Sequence, residues 1–541
     1  MTGVHVLLVT CLASLGEPAA APGAPQLLDN LGDYHRRISS KSEEARAYFD
    51  QGLRLVYAFN HEEAQAAFQE AARIDPSCGI CFWGAALTLG PNINLPALPE
   101  RAEAAWQLLQ KAQALARGAS PVERALIAAL ARRYAHPPPT DPEKQRALDT
   151  AYANSMRRVS RWFPSDPDVA TLFAESMMDL RPWDLWTPEG KPQPGTEEIV
   201  PTLERVLRAH PDHPGANHYF IHAVEASPHP EQALASAERL KTLVPGAGHL
   251  VHMPSHVYIR TGRYAEGSEA NRRAIAADAD YAASHHDRPI YSMYVAHNFQ
   301  FLWATSLMEG RSAESLQAAR DMLGRVPVEM LKEMPGYDYV LAYPVVGLAR
   351  FGRWKDILAE PGPPAEFPTA QGLWHEARGL ALLRTGDAAG AERELAVLEG
   401  ILQRTPPDAK VANNTARDVL SIATDVLGGE LAMARGDVTA AVARLTKAVA
   451  TEDALRYDEP PDWGYPVRHQ LGVVLLAAGR PADAEATYRA DLARHPHNGW
   501  ALYGLVKSLE AQGKAAQAQV SQQAFNDAWK RADVQLTASA F

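Results

Sequence analysis

Residues 46–76 read RAYFDQGLRLVYAFNHEEAQAAFQEAARIDP, and their spacing decides the fold class. Tyr48, Gly52, Ala64, Phe68, Ala71 and Pro76 fall where a helix-turn-helix repeat of about 34 residues places its contacts, with glycine and alanine where the two helices touch. Toward the other end Leu471, Gly472, Ala484, Tyr488 and Pro496 repeat the pattern. Between them Gly262, Gly310, Gly352, Gly386, Gly436 and Gly479, each followed by Arg or Asp, mark inter-helix turns. Glycine at such a turn supplies the left-handed residue that ends a helix.

A chain of 541 residues has room for several domains or one long array. With 46% apolar and 22% charged residues it has ample material for a large core. Its 53 Lys plus Arg against 64 Asp plus Glu give a net charge of −11. No basic block neutralises phosphates, which argues against nucleic-acid binding. Three cysteines, Cys11, Cys78 and Cys81, are too few for a disulfide framework. Residues 1–24 combine an apolar run from Val4 to Leu15 with small residues from Ala19 to Ala24, the pattern of a signal peptide, although no Lys or Arg precedes the run. The expected location is therefore periplasmic or secreted. No later apolar run is long enough for an integral membrane segment.

At the repeat residues the chain resembles the tetratricopeptide repeat (TPR) family, in its bacterial secreted type, from about Ser40 to Lys514. The resemblance implies an all-α fold of helical hairpins stacked into a right-handed superhelix, an α-solenoid. The expected organisation is a signal peptide (1–24), an N-terminal extension (25–39), and three repeat segments (40–135, 136–360 and 361–541). Proline clusters at Pro137 to Pro139 and Pro361 to Pro364 mark the joints. Three stretches look inserted: Gly90 to Pro96, Arg181 to Trp186 with the TPEGKPQPG that follows, and the region from Ala279 to Pro289. Long ordered loops on repeat arrays often carry function.

Eleven of the 19 histidines lie between His210 and His297. His218 and His222 are i, i+4 on one helix, and His249, His252 and His256 are i, i+3, i+7 on another, so each set shares a helical face. His218 and His252, like His222 and His256, are 34 residues apart and occupy equivalent positions of consecutive repeats. Glu225 joins the face of His222, and Glu175 stands one repeat earlier at the position of His222. The repeat resemblance aims His249, His252, His256 and His297 into a concave groove. Imidazoles at i, i+4 can hold one metal ion, which makes His218, His222, His252 and His256 the expected ligands of copper, iron or zinc. Glu175, Glu225, His249 and His297 are then further ligands, acid-base groups or partners of the ligands. Met177, Met178 and Met253 offer soft donors that tilt the choice toward copper.

Other readings stay open. The histidines can equally be groove residues, and the wider family makes a non-enzymatic scaffold binding a peptide or partner protein a full alternative to a metal-dependent enzyme. Metal storage or delivery would use the same ligands, and a small molecule is a further candidate occupant of the groove. His210, His213, His229, His285 and His286 fit turns or the surface. Cys78-Gly-Ile-Cys81 opens a helix, where a local disulfide, a redox pair or half a metal site are the options. Arg181, Trp183, Asp184 and Trp186 form either a lid or a loop anchored by its tryptophans.

Overall fold

The computed structural model describes residues 25–284 and 289–541. The segment read as a signal peptide, and His285 and His286, lie outside the described residues. The chain forms two compact units, Met1–Val257 with Arg273–Val295, and Tyr258–Arg272 with Ala296–Phe541.

In the first unit the helices are α1 (Glu43–Tyr57), α2 (His61–Ile74), α3 (Gly79–Leu87), α4 (Pro99–Leu115), α5 (Pro121–Leu130), α6 (Pro142–Trp162), α7 (Pro167–Met178), α8 (Thr196–Ala209), α9 (Pro214–Val224), α10 (Leu234–Leu243) and α11 (Gly248–His252). Next come α12 (Pro254–Arg260), α13 (Tyr264–Ser284) and α14 (Pro289–Met308), whose residues divide between the two units. Consecutive helices pack as hairpins, α1 on α2, α3 on α4 and α7 on α8, and α9 also touches α1 and α7.

Local chemistry starts these helices. Ser42, Asn60, Ser120, Asp141 and Asp166 each accept a hydrogen bond from a first-turn amide, which satisfies a donor the helix itself cannot. Proline at the first helical position of α5, α6, α7 and α9 costs no hydrogen bond there. Each of the six turn glycines has the expected positive φ, from +65° to +96°. The seams that α2 makes with α1 and with α3 are as close as the repeat spacing requires. A Cβ on Gly52 or Gly84 would stand 2.8 Å or 2.5 Å from the Phe68 ring, and Phe68 is fully buried, which stabilises the hairpin by about 1.5–3 kcal/mol.

The second unit repeats the device. Pro368–Arg384 packs on Ala388–Arg404, Ala416–Ala434 on Val438–Ala454, Arg468–Ala477 on Pro481–Arg494, and Gly499–Ala511 on Ala515–Trp529. A two-residue strand pair, Lys410–Val411 with Asn414–Thr415, is the only sheet among the described residues. The architecture is an all-α solenoid of tetratricopeptide type. No helix among the described residues is long and apolar enough to cross a membrane.

The inserted stretches from Gly90 to Pro96 and from Arg181 into the TPEGKPQPG segment connect the two helices of their hairpins, α3 to α4 and α7 to α8, as expected. Cys78 and Cys81 form a disulfide at the start of α3, and the Cys78 sulfur caps the helix by accepting from the Cys81 amide.

Candidate metal centre

The cluster is assembled from the C-terminal end of α1, from α9, and from α11 with α12. His213 caps α9, its Nδ1 accepting from the Ala216 amide at 3.1 Å. It is turn-forming as read from the sequence, but buried rather than at the surface. From that start His218 and His222 fall on one face of α9. His249, His252 and His256 do not share one continuous helix. Pro254 has no amide to donate, and the chain breaks at Met253 into α11 and α12. The rings nevertheless converge. Successive centroid distances are 4.9 Å for His218 and His222, 4.9 Å for His218 and His249, 5.9 Å for His249 and His252, and 4.8 Å for His252 and His256. All five side chains are buried, at no more than 3% exposure.

The hydrogen bonds determine which nitrogen of each ring carries the proton. His218 Nδ1 lies 2.6 Å from the Tyr57 carbonyl oxygen, which can only accept, so this nitrogen is N–H and Nε2 presents a lone pair. Glu225 does the same for two rings. Its Oε1 is 2.8 Å from His222 Nδ1 and its Oε2 is 2.5 Å from His256 Nδ1. Burial pushes the Glu225 carboxyl up, but His256 and His222 outweigh it and hold the group down at about 2, so it is an ionised acceptor at neutral pH. In a neutral His222 this leaves Nε2 as a lone pair, and that atom has no hydrogen-bond partner among the described residues.

Nitrogen atoms of His218, His222 and His249 lie within 4.8 Å of one another, and the Nε2 atoms of His218 and His249 are 3.1 Å apart. A tetrahedral ion about 2.0–2.1 Å from each ligand spaces imidazole nitrogens by about 3.3 Å. Burial first, and the neighbouring imidazoles second, hold His218 and His249 well below the ordinary histidine range, so both are neutral, the form that ligates. Beside them His252 Nε2 and His256 Nε2 approach to 2.8 Å. A carboxylate or carbonyl on the far nitrogen is the usual support of a metal-binding imidazole. His218, His222 and His256 have it, whereas His249 Nδ1 has no partner among the described residues.

Aromatic side chains enclose the site. Phe59 lies 4.5 Å, 5.5 Å and 6.0 Å from the rings of His218, His249 and His222. Trp183 meets His222 edge-on at 5.7 Å, and Tyr294 meets His249 at 4.6 Å. Phe59 and Trp183 have φ of +56° and +57°, a left-handed backbone costing bulky residues about 1–2 kcal/mol. Such strain persists where the surroundings hold it, often at functional sites. Trp186 anchors the second inserted stretch by donating to the Ala223 carbonyl at 2.8 Å, and Arg181 pairs with Asp184.

Two expected participants stand elsewhere. Glu175 faces a separate cluster: burial and then Asp179 push its carboxyl well above the ordinary range. Asp179 itself is raised to about 6 by burial, against the pull of Arg133, which donates to it at 2.7 Å. Met177 turns toward α8, its sulfur 3.0 Å from Arg157 Nη2 and its methyl 3.2 Å from where a Cβ on Gly195 would be, so it lends no soft donor to the histidines. His297 belongs to the second unit, where its Nδ1 lies 2.9 Å from Gln300 Oε1. Helical spacing singles out neither Phe59 nor the Tyr57 carbonyl. One signal is present: Phe59 has the positive φ that the six turn glycines from Gly262 to Gly479 supply elsewhere.

No protein-family model and no characterised relative matches the sequence. Solved structures that align with it include a human IFIT1 dimer with m7Gppp-AAAA (12% identity, 84% of this chain and 90% of that one, TM-score 0.35). Another is the APC/C hetero-tetramer Cut9-Hcn1 (12% identity, 91% and 76%, TM-score 0.34).

Proposed function

We propose that the first unit carries a transition-metal centre ligated by Nε2 of His218 and His222 with His249, and that the protein is a metal-dependent enzyme. The observation that carries this reading is the pair of lone pairs prepared by the Tyr57 carbonyl and the Glu225 carboxylate. A buried Nε2 left without a hydrogen-bond partner, as in His222, costs about 1–3 kcal/mol unless something occupies it. Three nitrogen ligands leave an ion an open coordination position for Lewis-acid or redox chemistry. The nitrogen donors suit zinc, copper or iron, and the absence of a sulfur from Met177 removes part of the preference for copper. Glu225 supports two rings and is not a ligand in this reading. His252 and His256 form an adjoining pair able to take or pass a proton. The burial of all five imidazoles supports this reading over display of the histidines to a peptide. The Cys78–Cys81 disulfide supports the periplasmic or secreted setting.

The test is elemental analysis of tag-free protein beside His218→Ala/His222→Ala, with circular dichroism to confirm folding. Near-stoichiometric metal lost in the variant is the expected result. Wild-type protein that neither contains nor takes up zinc, copper or iron would overturn the proposal.

A further inference from the structure

A cavity of about 550 Å³ opens in the first unit between the 89–99 insertion, the α5–α6 connection and the end of α7. Leu89, Ile93, Leu98, Leu180 and Pro182 give it apolar walls. Asn92, Asn94, Asp141, Glu143, Gln145 and Arg146 line other parts of it, and its buried cation is Arg133, fully buried on the Tyr152 ring with 4.2 Å between guanidinium carbon and ring centre. Nη2 donates to Asp179, and Nε lies 3.3 Å from Asp149. Nη1 has no hydrogen-bond partner among the described residues. Arg133 lines the cavity, and Gly90 packs on its guanidinium: a Cβ there would come within 3.2 Å of Nη1 and 3.0 Å of the Tyr134 hydroxyl. A buried donor without a partner beside a roomy chamber is the mark of a ligand site.

The charges around Arg133 select the ligand. Its positive charge is already met by Asp179 and Asp149, with Glu175 beside Asp179. An anionic ligand would add a further negative charge to that buried group, and a cationic one would face the guanidinium, both costly in a site of low dielectric. What Nη1 lacks is a neutral acceptor oxygen.

The chamber also adjoins the histidines. The amides of Asn92 and Asn94, both lining it, approach the Tyr294 hydroxyl, and the Tyr294 ring lies on His249. On the other side the lining residue Pro182 is followed by Trp183, which meets His222. One layer of side chains separates cavity from imidazoles.

We propose that this cavity is the substrate chamber of the histidine centre, and that it takes an uncharged organic molecule whose ketone, amide or hydroxyl oxygen accepts from Arg133 Nη1. The word substrate rests on the metal-centre reading; the binding does not, and the two are tested apart. Nile red, uncharged and carbonyl-bearing, serves as the probe, with the anion 1-anilinonaphthalene-8-sulfonate for comparison. Saturable binding of Nile red with blue-shifted emission is expected, with the sulfonate weaker. Ala102→Trp, which fills the chamber from α4, abolishes binding without changing the circular dichroism. Arg133→Lys, which keeps the charge and removes Nη1, weakens it about tenfold or more. Nile red binding unchanged in a folded Ala102→Trp protein, or tighter binding of the sulfonate, would overturn the proposal. Cobalt-loaded protein should quench the bound dye relative to zinc-loaded protein; equal emission from the two would refute the link to the histidines. His218→Ala/His222→Ala retains the dye whatever its metal content, so failure of the metal centre and failure of the chamber give different results.

Discussion

Removing one carboxylate, Asp168, should loosen the whole frame behind His218. Asp168 Oδ1 accepts from the hydroxyls of Tyr34 at 2.7 Å and Tyr57 at 2.5 Å, and Oδ2 accepts from Arg36 Nη1 at 2.5 Å. His213 Nε2 lies 3.3 Å from Oδ1. Asp168 and Arg36 are both buried. Deleting one partner of a buried ion pair costs about 3–5 kcal/mol, because the other charge is left uncompensated. Arg36 keeps a two-pronged pair with Asp166, both contacts at 2.8 Å, which places Asp168→Ala near the lower figure, about 3 kcal/mol. The sign of the pH dependence follows from the same contacts. Burial pushes the Asp168 carboxyl up, but His213, Arg36 and Tyr57 outweigh it and hold it far below the ordinary aspartate range. Its contribution is thus complete above the unfolded value of about 3.9 and is lost as pH falls from there through the folded value. The assay is hydrogen exchange by mass spectrometry over α1, α7 and α9, which reads local opening without assuming a single unfolding step. Wild type and Asp168→Ala should differ by a constant amount from pH 7 to about pH 5 and converge below about pH 4. A loss under about 1 kcal/mol, or a gap that widens in acid, would refute the account.

Further outcomes are expected from other sites. Glu225→Gln leaves one imidazole Nδ1–H without its acceptor and should weaken metal binding about 10–100-fold by chelator competition while the fold is retained. Phe68→Ala should cost about 3–5 kcal/mol in urea titrations; Gly84→Ala alone should cost about 1–3 kcal/mol by crowding Phe68, and Phe68→Leu should relieve part of that in the double variant. Reducing the Cys78–Cys81 disulfide, or Cys78→Ser/Cys81→Ser, should cost about 2 kcal/mol by loop-closure entropy, seen as a lowered melting temperature. Phe59→Gly, which relieves the left-handed backbone but empties space against three imidazoles, should loosen the centre and broaden the spectrum of bound cobalt; a cobalt spectrum identical to wild type would show that Phe59 does not hold the rings.

Much of this molecule is written locally. Hairpin repeats are legible because a helix cap, a close Gly–Ala seam and a glycine turn are each set by a few neighbouring residues, so Gly52, Ala64, Phe68 and the six turn glycines announce the fold. The 34-residue register of the histidines is legible for the same reason: period and face follow from helix geometry alone. What stacking decides is different. The acceptor for His218 is the carbonyl of Tyr57, 161 positions away, and no spacing rule connects them. Glu225, on the face of His222, turns out to bridge His222 and His256, because α11 and α12 bring the second ring to its other oxygen. Glu175, matched to His222 by repeat position, is drawn to Asp179 and Arg133 because the side chains packed against α7 differ from those packed against α9. Pro254 splits a helix that periodicity joined. Phe59 keeps a left-handed backbone, and three imidazoles pack against its ring. Helical periodicity determines which way a residue faces; what it meets there depends on segments far away in the chain, brought close only by the packing of the whole unit.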